Sequence, residues 1–330
     1  MKRLLLSALI LFGALFSGAG AGDVDLTVPG WHGNAIAYSG YRVGQHPDLG
    51  RFPSAEQVLE DMHLLEKNWS IIRLYSADRH AEDVLATIRR EKIGLKVMLG
   101  LWLEGKPEKL NANALQVARA IRLANEYPDI VVAVNVGNEI LVSWSDHKLS
   151  EDQAAAYVAQ VKAGVSCPVT LADDSLYWRD PKAKLADKVD FITMHTYPMW
   201  SGEDIDTALA STIRVYEMVR DAHPGKTIVI GEAGWASFAD SSKIAPGAGS
   251  EEKQQRYYRE LTAWAKSAGV TVFVFEAFDE PWKGSGTEGH WGVFSEDRKA
   301  KQALRETYPD VAAQGAAAAP SSLSQSKDAP

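Results

Sequence analysis

This sequence is poor in cysteine and in basic charge. Among 330 residues only Cys167 is a cysteine, and Asp and Glu outnumber Lys and Arg by 43 to 35, for a formal net charge of -8. A single cysteine excludes an intramolecular disulfide, and no Cys/His spacing is typical of zinc. No basic cluster is present, which excludes nucleic acid and acidic polysaccharide because both require a positive surface. We therefore expect no metal site and no cofactor.

The first 21 residues have the pattern of an export signal. Lys2 and Arg3 precede an apolar run over residues 4–16, and small residues follow, with Ala19 and Ala21 at cleavage-site spacing. The run is shorter than the ~20 residues of a membrane span. We expect cleavage after Ala21, a secreted or periplasmic protein, and no stable membrane anchor afterwards. Losing two positive charges takes the net charge from -8 to -10.

The last twenty residues differ in composition from the rest. Residues 311–330 are rich in Ala and Ser and lack an apolar period, so they are predicted to be a disordered, low-complexity tail. Residues 22–310 remain as the folded part. Barrels of ~250 residues are commonly one domain, so we expect a single domain and a monomer.

Eight short apolar runs alternate with helical patterns. The runs are continuous rather than alternating, which is typical of parallel strands covered on both faces. Between them, Ser54 and Ser150 begin capping boxes, and Ser250 and Ser295 each precede two acidic residues, as at helix starts. The predicted strands lie in residues 34–42, 70–78, 94–104, 129–139, 167–174, 190–200, 226–237 and 269–280.

Two architectures fit strands that alternate with helices, and the sequence favours one. A doubly wound open sheet would carry a Gly-rich phosphate loop after its first strand, and none is present. Eight strand and helix units in a single domain favour closure into an α/β fold, the (β/α)₈ or TIM barrel. Active sites of such barrels lie at the carboxyl ends of the strands.

Aromatic and polar residues collect at those predicted strand ends. Tryptophan faces stack on the apolar surfaces of sugar rings, while nearby carboxylates and amides bind hydroxyls. The pattern therefore indicates a carbohydrate cleft. Seven of the ten tryptophans lie at or just after strand ends: 102, 144, 178, 200, 235, 282 and 291.

Two glutamates end strands that face each other. Glu139 ends the fourth strand in "NVGNE", and Glu232 ends the seventh in "VIGEAGW". Strands four and seven lie across the mouth of an eight-stranded barrel, so both side chains can point at one bond. A carboxyl separation of ~5 Å favours retention of anomeric configuration, whereas ~6.5 to 9.5 Å leaves room for water and favours inversion.

The sequence resembles a known family at this point. It is similar to bacterial members of glycoside hydrolase family 17, the β-1,3-glucanase family in a large clan of retaining barrels. The resemblance runs from "AIAYSGYR" through "RLYSAD", "VNVGNE", "HTYP" and "VIGEAGW" to "FEAFDEPWK" and "EGHWGVF". It covers nearly the whole predicted domain and implies the barrel fold and a two-step, double-displacement reaction.

The resemblance also assigns roles by position. It implies that Glu139 is the general acid/base, that Glu232 is the nucleophile, and that Asn138 hydrogen-bonds the sugar 2-hydroxyl. Plant members carry proline where this sequence has Ala236, so plant-type endo cleavage along a long groove is not transferred. Further positions that match the family's cleft are Tyr38, Arg73, Tyr197, Glu280 and Lys283.

Three further residues are candidates for substrate binding because they lie at or after predicted strand ends: Trp235, Glu276 and Trp282. Strand alternation lets Glu276 face the barrel mouth. We expect Arg73 and the Tyr38 hydroxyl to hold the charge of Glu232.

Three functions remain open from sequence. The leading hypothesis is a retaining hydrolase of β-1,3-glucan or laminari-oligosaccharides. A β-glucosyltransferase that elongates or branches β-glucans uses the same two glutamates and passes the glycosyl group to a sugar instead of water. A non-catalytic glucan-binding protein would keep the tryptophans but need not keep both glutamates. All three predict a neutral β-glucan as partner.

Overall fold

The computed structural model describes residues 34–309, which form a closed barrel of eight parallel strands in sequence order. Each strand lies inside its predicted segment, and the (β/α)₈ fold is confirmed. The predicted signal and tail lie outside the described residues. The strands are β1 (Ala35–Ala37), β2 (Ile71–Arg73), β3 (Lys96–Leu101), β4 (Val131–Asn138), β5 (Val169–Asp174), β6 (Ile192–His195), β7 (Ile228–Ala233) and β8 (Val272–Val274).

Seven α-helices connect these strands within the described residues. The predicted capping boxes are present, since Ser54 and Ser150 each accept a hydrogen bond from the backbone of a glutamine three residues later. Ser250 caps the last helix in the same position. The helices are α1 (Ala55–Leu65), α2 (Arg79–Glu91), α3 (Leu110–Glu126), α4 (Glu151–Gly164), α5 (Ser175–Trp178), α6 (Ile205–Ala222) and α7 (Glu251–Ala268).

The expected helix after Ser295 is wrong. Residues 275–308 hold three short 3₁₀ turns and no α-helix. The Ser295 hydroxyl bonds Asp297 and the Lys299 carbonyl, and Arg298 has a φ of 65°, so the acidic pair lies in a tight turn. Local hydrogen bonds of Ser and Asp compete with the helix here.

The interior of the barrel is filled by apolar side chains at its amino-terminal end. Alternate strand residues point to opposite faces, so one set faces inward and the next set packs on the helices. The inward set forms its own buried cluster, and this leaves the carboxyl end for a site. Its members are Ala35, Ile71, Met98, Ala133, Phe191, Val229 and Phe273. Within residues 34–309, no helix has the length and apolarity to span a membrane.

The barrel closes where β1 pairs with β8. This seam is short, because only Ala35 with Phe273 and Ile36 with Val274 are in register. Just beyond it, the Ser39 hydroxyl donates to a Glu280 carboxylate oxygen. The seam is thus continued by a side-chain bond at the carboxyl rim.

A buried ion network supports the same rim. Asp61 on α1 has no exposed surface and accepts from Arg298 at 2.7 Å to each carboxylate oxygen. It also accepts from Arg42 at 2.9 Å and from the Tyr38 hydroxyl at 3.0 Å. Arg298 donates on to the Gly40 carbonyl at 2.8 Å. The network, called here the Asp61 clamp, joins the loop after β1 to α1 and to the segment after β8.

Candidate active site

A cleft of about 1230 Å³ opens at the carboxyl ends of the strands. Residues at or after all eight strands contribute to its walls. Its position agrees with the site expected from sequence and with that of (β/α)₈ enzymes in general. A volume above 1000 Å³ accommodates several sugar rings.

Glu232, at the end of β7, is buried and surrounded by donors. Its Oε1 atom accepts from Arg73 Nη1 at 2.5 Å and from the Tyr75 hydroxyl at 3.0 Å, and its Oε2 atom accepts from the Tyr197 hydroxyl. Burial alone would raise the pKa of Glu232, but His195, Arg73 and the Tyr197 bond lower it to about 2. The carboxylate is therefore ionised over the whole physiological range, as a nucleophile requires.

Glu139 follows β4 on a strained turn. Its φ is 49°, a left-handed value that a glutamate rarely adopts, and Gly137 two residues earlier has a φ of 91°. The Glu139 amide donates to the Ala172 carbonyl of β5 at 2.9 Å, which holds the turn. Strained backbone of this kind is concentrated at functional sites. The turn leaves the Glu139 carboxyl half-buried on the cleft wall.

His195 lies between the two glutamates. Its Nδ1 atom is 3.0 Å from Glu139 Oε1 and 3.4 Å from Glu232 Oε2, and the ring has no exposed surface. Carboxylate oxygens accept only, so Nδ1 carries the proton. Burial alone would lower the pKa of His195, but the carboxylates of Glu232 and Glu139 raise it. His195 thus lies buried between the two carboxyl groups and helps to fix both.

The same three residues are the only group in residues 34–309 with the spacing of a metal site. One ligand atom from each of Glu139, His195 and Glu232 lies within 4.8 Å of the others. Arg73 Nη1 lies 2.5 Å from Glu232 Oε1, and its positive charge would repel a cation bound there. The donor set therefore suits a reaction between two carboxyl groups better than metal binding.

Asn138 orients its amide toward the cleft. Its Oδ1 atom accepts from Arg73 Nη2 at 2.6 Å, so one guanidinium holds both this amide and Glu232. The Asn138 NH₂ group then faces outward as a donor. Asn138 and Tyr197 both line the cleft, whereas Arg73 lies buried beneath it.

The expectations for Tyr38 and Trp235 require correction. The Tyr38 hydroxyl does not hold Glu232, because it donates to Asp61 in the clamp; Tyr75 and Tyr197 supply the bonds instead. Trp235 does not face the cleft: it is 2% exposed, donates from Nε1 to the Ala248 carbonyl at 2.9 Å and packs on the helix side of β7.

Of the two candidate glutamates after β8, one lines the cleft and the other is buried below it. Glu280 lines the cleft and pairs with Lys283, and Trp282 Nε1 donates to Glu280 at 3.1 Å. Glu276 lies below them, 2% exposed, with Lys283 Nζ at 3.6 Å. Burial and the Glu280 charge raise the pKa of Glu276 well above its usual range. Its predicted contact with sugar does not fit this burial.

The tryptophans at the strand ends differ in exposure, since some are buried in the packing and others are accessible in the cleft. Trp178 is fully buried and, with Trp235, belongs to the packing around the barrel. Trp102 and Trp144 are 37% and 56% exposed on the cleft wall. Trp200 and Trp282 are partly exposed on other parts of the same wall. Four accessible indole faces therefore surround the two glutamates.

Tyr75 is the functional residue that the predicted set lacked. It follows Arg73 by two positions at the end of β2, so strand alternation puts both side chains on one face. That signal was available in "RLYS", but a tyrosine at a strand end is equally typical of a core position.

A closed barrel with two facing carboxyl groups and accessible indoles at its carboxyl rim defines a glycosidase-type site. Residues 35–292 match the BtgE/BtgC glycoside hydrolase domain, so the chain belongs to that family.

Known proteins of similar sequence or structure have names that refer to β-1,3-glucan or laminarin. The chain is 26% identical over 280 residues to a glucan 1,3-beta-glucosidase of Arthroderma benhamiae, covering 79% of this chain and 88% of that one. An endo-laminarinase from Formosa matches with a TM-score of 0.76 at 29% identity, covering 84% of this chain and 87% of that one. A family 17 β-1,3-glucanosyltransferase from Rhizomucor miehei matches with a TM-score of 0.69 at 26% identity, covering 82% and 96%. These matches confirm the resemblance to family 17.

The chain spans less than half the length of the btgC glucan endo-1,3-beta-glucosidases that it matches.

Proposed function

We propose that the protein is a retaining glycoside hydrolase of β-1,3-linked gluco-oligosaccharides. The observation that carries the proposal is that one oxygen of Glu139 and one of Glu232 lie within 4.8 Å. Retaining glycosidases hold their two carboxyl groups about 5 Å apart, because no water has to fit between the sugar and the nucleophile.

The first step forms a glucosyl-enzyme. Glu232 attacks the anomeric carbon, and Glu139 gives a proton to the glycosidic oxygen as the bond to the leaving sugar breaks. Three donors around Glu232 keep it ionised. Asn138, held by Arg73, presents its NH₂ group to the 2-hydroxyl of the attacked sugar, where hydrogen bonds strengthen in the transition state.

The second step releases the sugar. Glu139, now ionised, takes a proton from water, and the water oxygen attacks the anomeric carbon from the side that the leaving group vacated. The ester bond to Glu232 breaks and two inversions give net retention. His195 donates from Nδ1 toward both carboxylates and keeps them in register through both steps.

The substrate class rests on charge, wall shape and relatives. A net charge of -8 disfavours acidic polysaccharides. A β-1,3 chain curves, so successive rings meet walls at different angles, and the accessible tryptophans follow four different strands, β3, β4, β6 and β8. Relatives named for laminarin or 1,3-β-glucan support the same linkage.

Products from laminaritetraose test the proposal. Proton NMR of the first product should show the β-anomer, and laminaritetraose should be cleaved faster than cellotetraose. Glu139→Gln and Glu232→Gln should each lower turnover by ~10² to 10⁴-fold or more while keeping the fold. An α-anomer, preference for cellotetraose, or more than about a tenth of wild-type rate in either variant would contradict the assignment.

Azide gives an independent test of the intermediate. In Glu139→Ala the glucosyl-enzyme lacks its base, and a small anion can replace the activated water. We expect sodium azide to restore turnover of an activated aryl β-glucoside and to yield the β-glucosyl azide. The α-configured azide would contradict double displacement.

Transfer to a sugar is the second candidate. Trp102 and Trp144 follow β3 and β4 and expose indole faces on the cleft wall, where an acceptor sugar would stack. The likeness to a β-1,3-glucanosyltransferase favours the same possibility. Mass spectrometry of laminaritetraose digests separates the two, since products longer than the substrate indicate transfer and only shorter ones indicate hydrolysis.

We also propose that the reaction takes place outside the cytoplasm, in the periplasm or the medium. The support is the export signal predicted over residues 1–21. Fractionation of an expressing cell and N-terminal sequencing of the exported chain test this, with Gly22 expected as the first residue.

A further inference from the structure

The peptide group between Asn138 and Glu139 is hydrogen-bonded at both of its ends. Its amide donates to the Ala172 carbonyl at 2.9 Å, and its carbonyl, that of Asn138, accepts from His147 Nε2 at 2.8 Å. A carbonyl oxygen only accepts, so Nε2 carries the proton. Because a peptide group is planar and its N–H and C=O point in opposite directions, two such bonds fix its rotation about the chain.

The rotation of this peptide sets the direction of the Glu139 side chain. It determines the φ of Glu139, which is 49°. A left-handed φ at a residue other than glycine persists only where the surrounding structure holds it. Without the His147 bond the peptide can turn toward an ordinary negative φ, which swings the Glu139 carboxyl away from the glycosidic oxygen. The Asn138 side chain should move less, because Arg73 Nη2 holds its amide at 2.6 Å.

The side chain of Asp173 supports the same turn at a later position. It accepts from the Leu141 amide at 2.8 Å, so it fixes a peptide group that follows Glu139. Within residues 34–309, His147 is the side chain that bonds the peptide before Glu139. Asp173 is also fully buried, so His147 is the better position for a substitution.

The ring of His147 is itself held behind the cleft wall. It packs against the Trp102 indole, with centroids 4.6 Å apart and ring planes 33° apart. Its Nδ1 atom lies 3.2 Å from Ser145 Oγ and 3.0 Å from Asp146 Oδ1. The side chain is 13% exposed and is not among the residues that line the cleft. His147 therefore acts on Glu139 without touching the substrate.

The loops after β3 and β4 meet directly at this point. The Gly105 amide donates to the His147 carbonyl at 3.1 Å, and a Cβ atom on Gly105 would lie 1.9 Å from the Lys148 carbonyl oxygen. Only glycine allows so close an approach. Trp102 begins the same β3 loop and lines the cleft. The wall after β3 and the turn after β4 are thus joined through His147.

We propose that His147 is a positioning residue for the acid/base. By holding the Asn138 carbonyl it keeps the Glu139 carboxyl directed at the glycosidic oxygen, and Trp102 keeps the His147 ring in place. The inference rests on the proposed function and deepens it, since protonation of the leaving group then depends on a residue outside the cleft.

The dependence of the rate on the leaving group tests the inference. Laminaritetraose needs a proton on the departing oxygen, whereas 2,4-dinitrophenyl β-laminaribioside releases a stable phenolate that needs none. His147→Phe keeps a ring against Trp102 and removes the donor. We expect kcat/KM to fall about tenfold on laminaritetraose and to stay within about twofold on the dinitrophenyl glycoside. Glu139→Gln should show the same selectivity more strongly.

Two variants serve as controls. His147→Gln carries an N–H group at similar reach and should recover at least about threefold of the rate lost on laminaritetraose. His63→Gln is the matched control, because His63 is an exposed histidine on α1 whose Nδ1 lies 2.8 Å from Glu66. It should change neither substrate by more than about twofold. The Tm of His147→Phe should fall by a few degrees at most, because one hydrogen bond is lost and the ring stays packed.

Three results would overturn the inference. An unchanged rate on laminaritetraose means that the His147 bond does not position the acid. An equal fall on both substrates means a general disturbance of the site. A glutamine variant no better than phenylalanine means that the N–H group is not the cause. If His147→Phe does not fold, His147→Leu, which also lacks a donor, is measured in its place.

Hydrogen exchange keeps the test separate from the proposed function. If wild type cleaves neither substrate, the proposed function fails, and the inference is then tested on the backbone. Exchange of the Glu139 amide, followed by mass spectrometry, should be faster in His147→Phe than in wild type and unchanged in His63→Gln. Equal protection in His147→Phe and wild type would reject the positioning role.

Discussion

The two facing glutamates differ in their surroundings, and that difference supports the roles proposed for them. Glu232 is fully enclosed by Arg73, Tyr75 and Tyr197, whereas Glu139 is half-exposed with His195 as its hydrogen-bond partner. A carboxylate that is held ionised suits attack, and one open to the cleft suits proton exchange with sugar and water.

Removing a donor from Glu232 should move the acid limb of the pH profile upward. The Tyr197 bond favours the ionised form, so Tyr197→Phe raises the pKa of Glu232 from about 2 toward the ordinary 4.5. We expect the acidic limb of kcat/KM on laminaritetraose to shift to higher pH and the pH-independent rate to fall about tenfold. A profile measured from pH 2.5 to 8 checks both.

Tyr75→Phe is the matched comparison, because its hydroxyl donates to the other oxygen of Glu232. It should shift the limb in the same direction. An unshifted limb in both variants would mean that neither hydroxyl stabilises the carboxylate. Glu232 also makes the stability of the fold depend on pH. Because its pKa is lowered in the folded protein, its contribution to the free energy of unfolding is present above pH 4.5 and is lost as the pH falls toward 2.

Trp235→Phe should affect stability and not catalysis. The indole is buried on the helix side of β7 and donates to the Ala248 carbonyl. Losing that bond and leaving a small cavity should cost about 1 to 3 kcal/mol, or several degrees in Tm for a domain of this size. Trp282→Ala, on the cleft wall, should instead raise KM. A change of more than threefold in kcat/KM for Trp235→Phe would place it in the cleft after all.

At the scale of elements, the strands were predictable because they are continuous apolar runs, and the capping boxes because their residues act locally. The Asp61 clamp was not predictable. Asp61 and Arg298 are 237 positions apart and meet only after the barrel closes. Trp235 and Trp282 look alike in sequence, and only the direction of the chain after each strand separates them. The same holds for Tyr38 and Tyr75, since hydroxyl direction depends on tertiary contacts.

The Asp61 clamp predicts a large and specific loss of stability. Asp61→Ala leaves Arg298, which is 5% exposed, without its buried partner, and removing one partner of such a pair costs about 3 to 5 kcal/mol. We expect Tm to fall by roughly 10 °C. Thermal unfolding followed by circular dichroism measures it.

Two further variants isolate the cause. In the pair Asp61→Leu with Arg298→Met both charges are removed, so the loss should be smaller than for Asp61→Ala alone. Glu126→Ala breaks the exposed pair with Arg122 on α3 and should change the stability by less than about 0.5 kcal/mol. A double variant as unstable as Asp61→Ala would show that lost packing, and not the unpaired charge, dominates.

At the scale of the whole molecule, the negative charge and the neutral substrate predict an enzyme insensitive to salt. Steering of charged ligands depends on ionic strength, but a neutral glucan feels no net force. We expect kcat/KM on laminaritetraose to change less than twofold between 20 and 500 mM NaCl. A carboxymethylated β-1,3-glucan should be cleaved more slowly, and salt should narrow that gap. Strong salt dependence on laminaritetraose itself would indicate a charged natural ligand.

The short seam between β1 and β8 has a consequence for motion. β3 and β4 are in register over five residue pairs, whereas the seam has two. Local opening begins where the fewest backbone bonds have to break, and β8 is in register with β7 over only two pairs as well. The ring should therefore loosen first around β8 while β3 through β7 stay closed. Tyr38 and Trp282 on the cleft wall follow the two strands of that junction, β1 and β8, and the two glutamates are built on the closed part. Breathing of the seam on the microsecond to millisecond scale would let a sugar product leave without disturbing the geometry that made it.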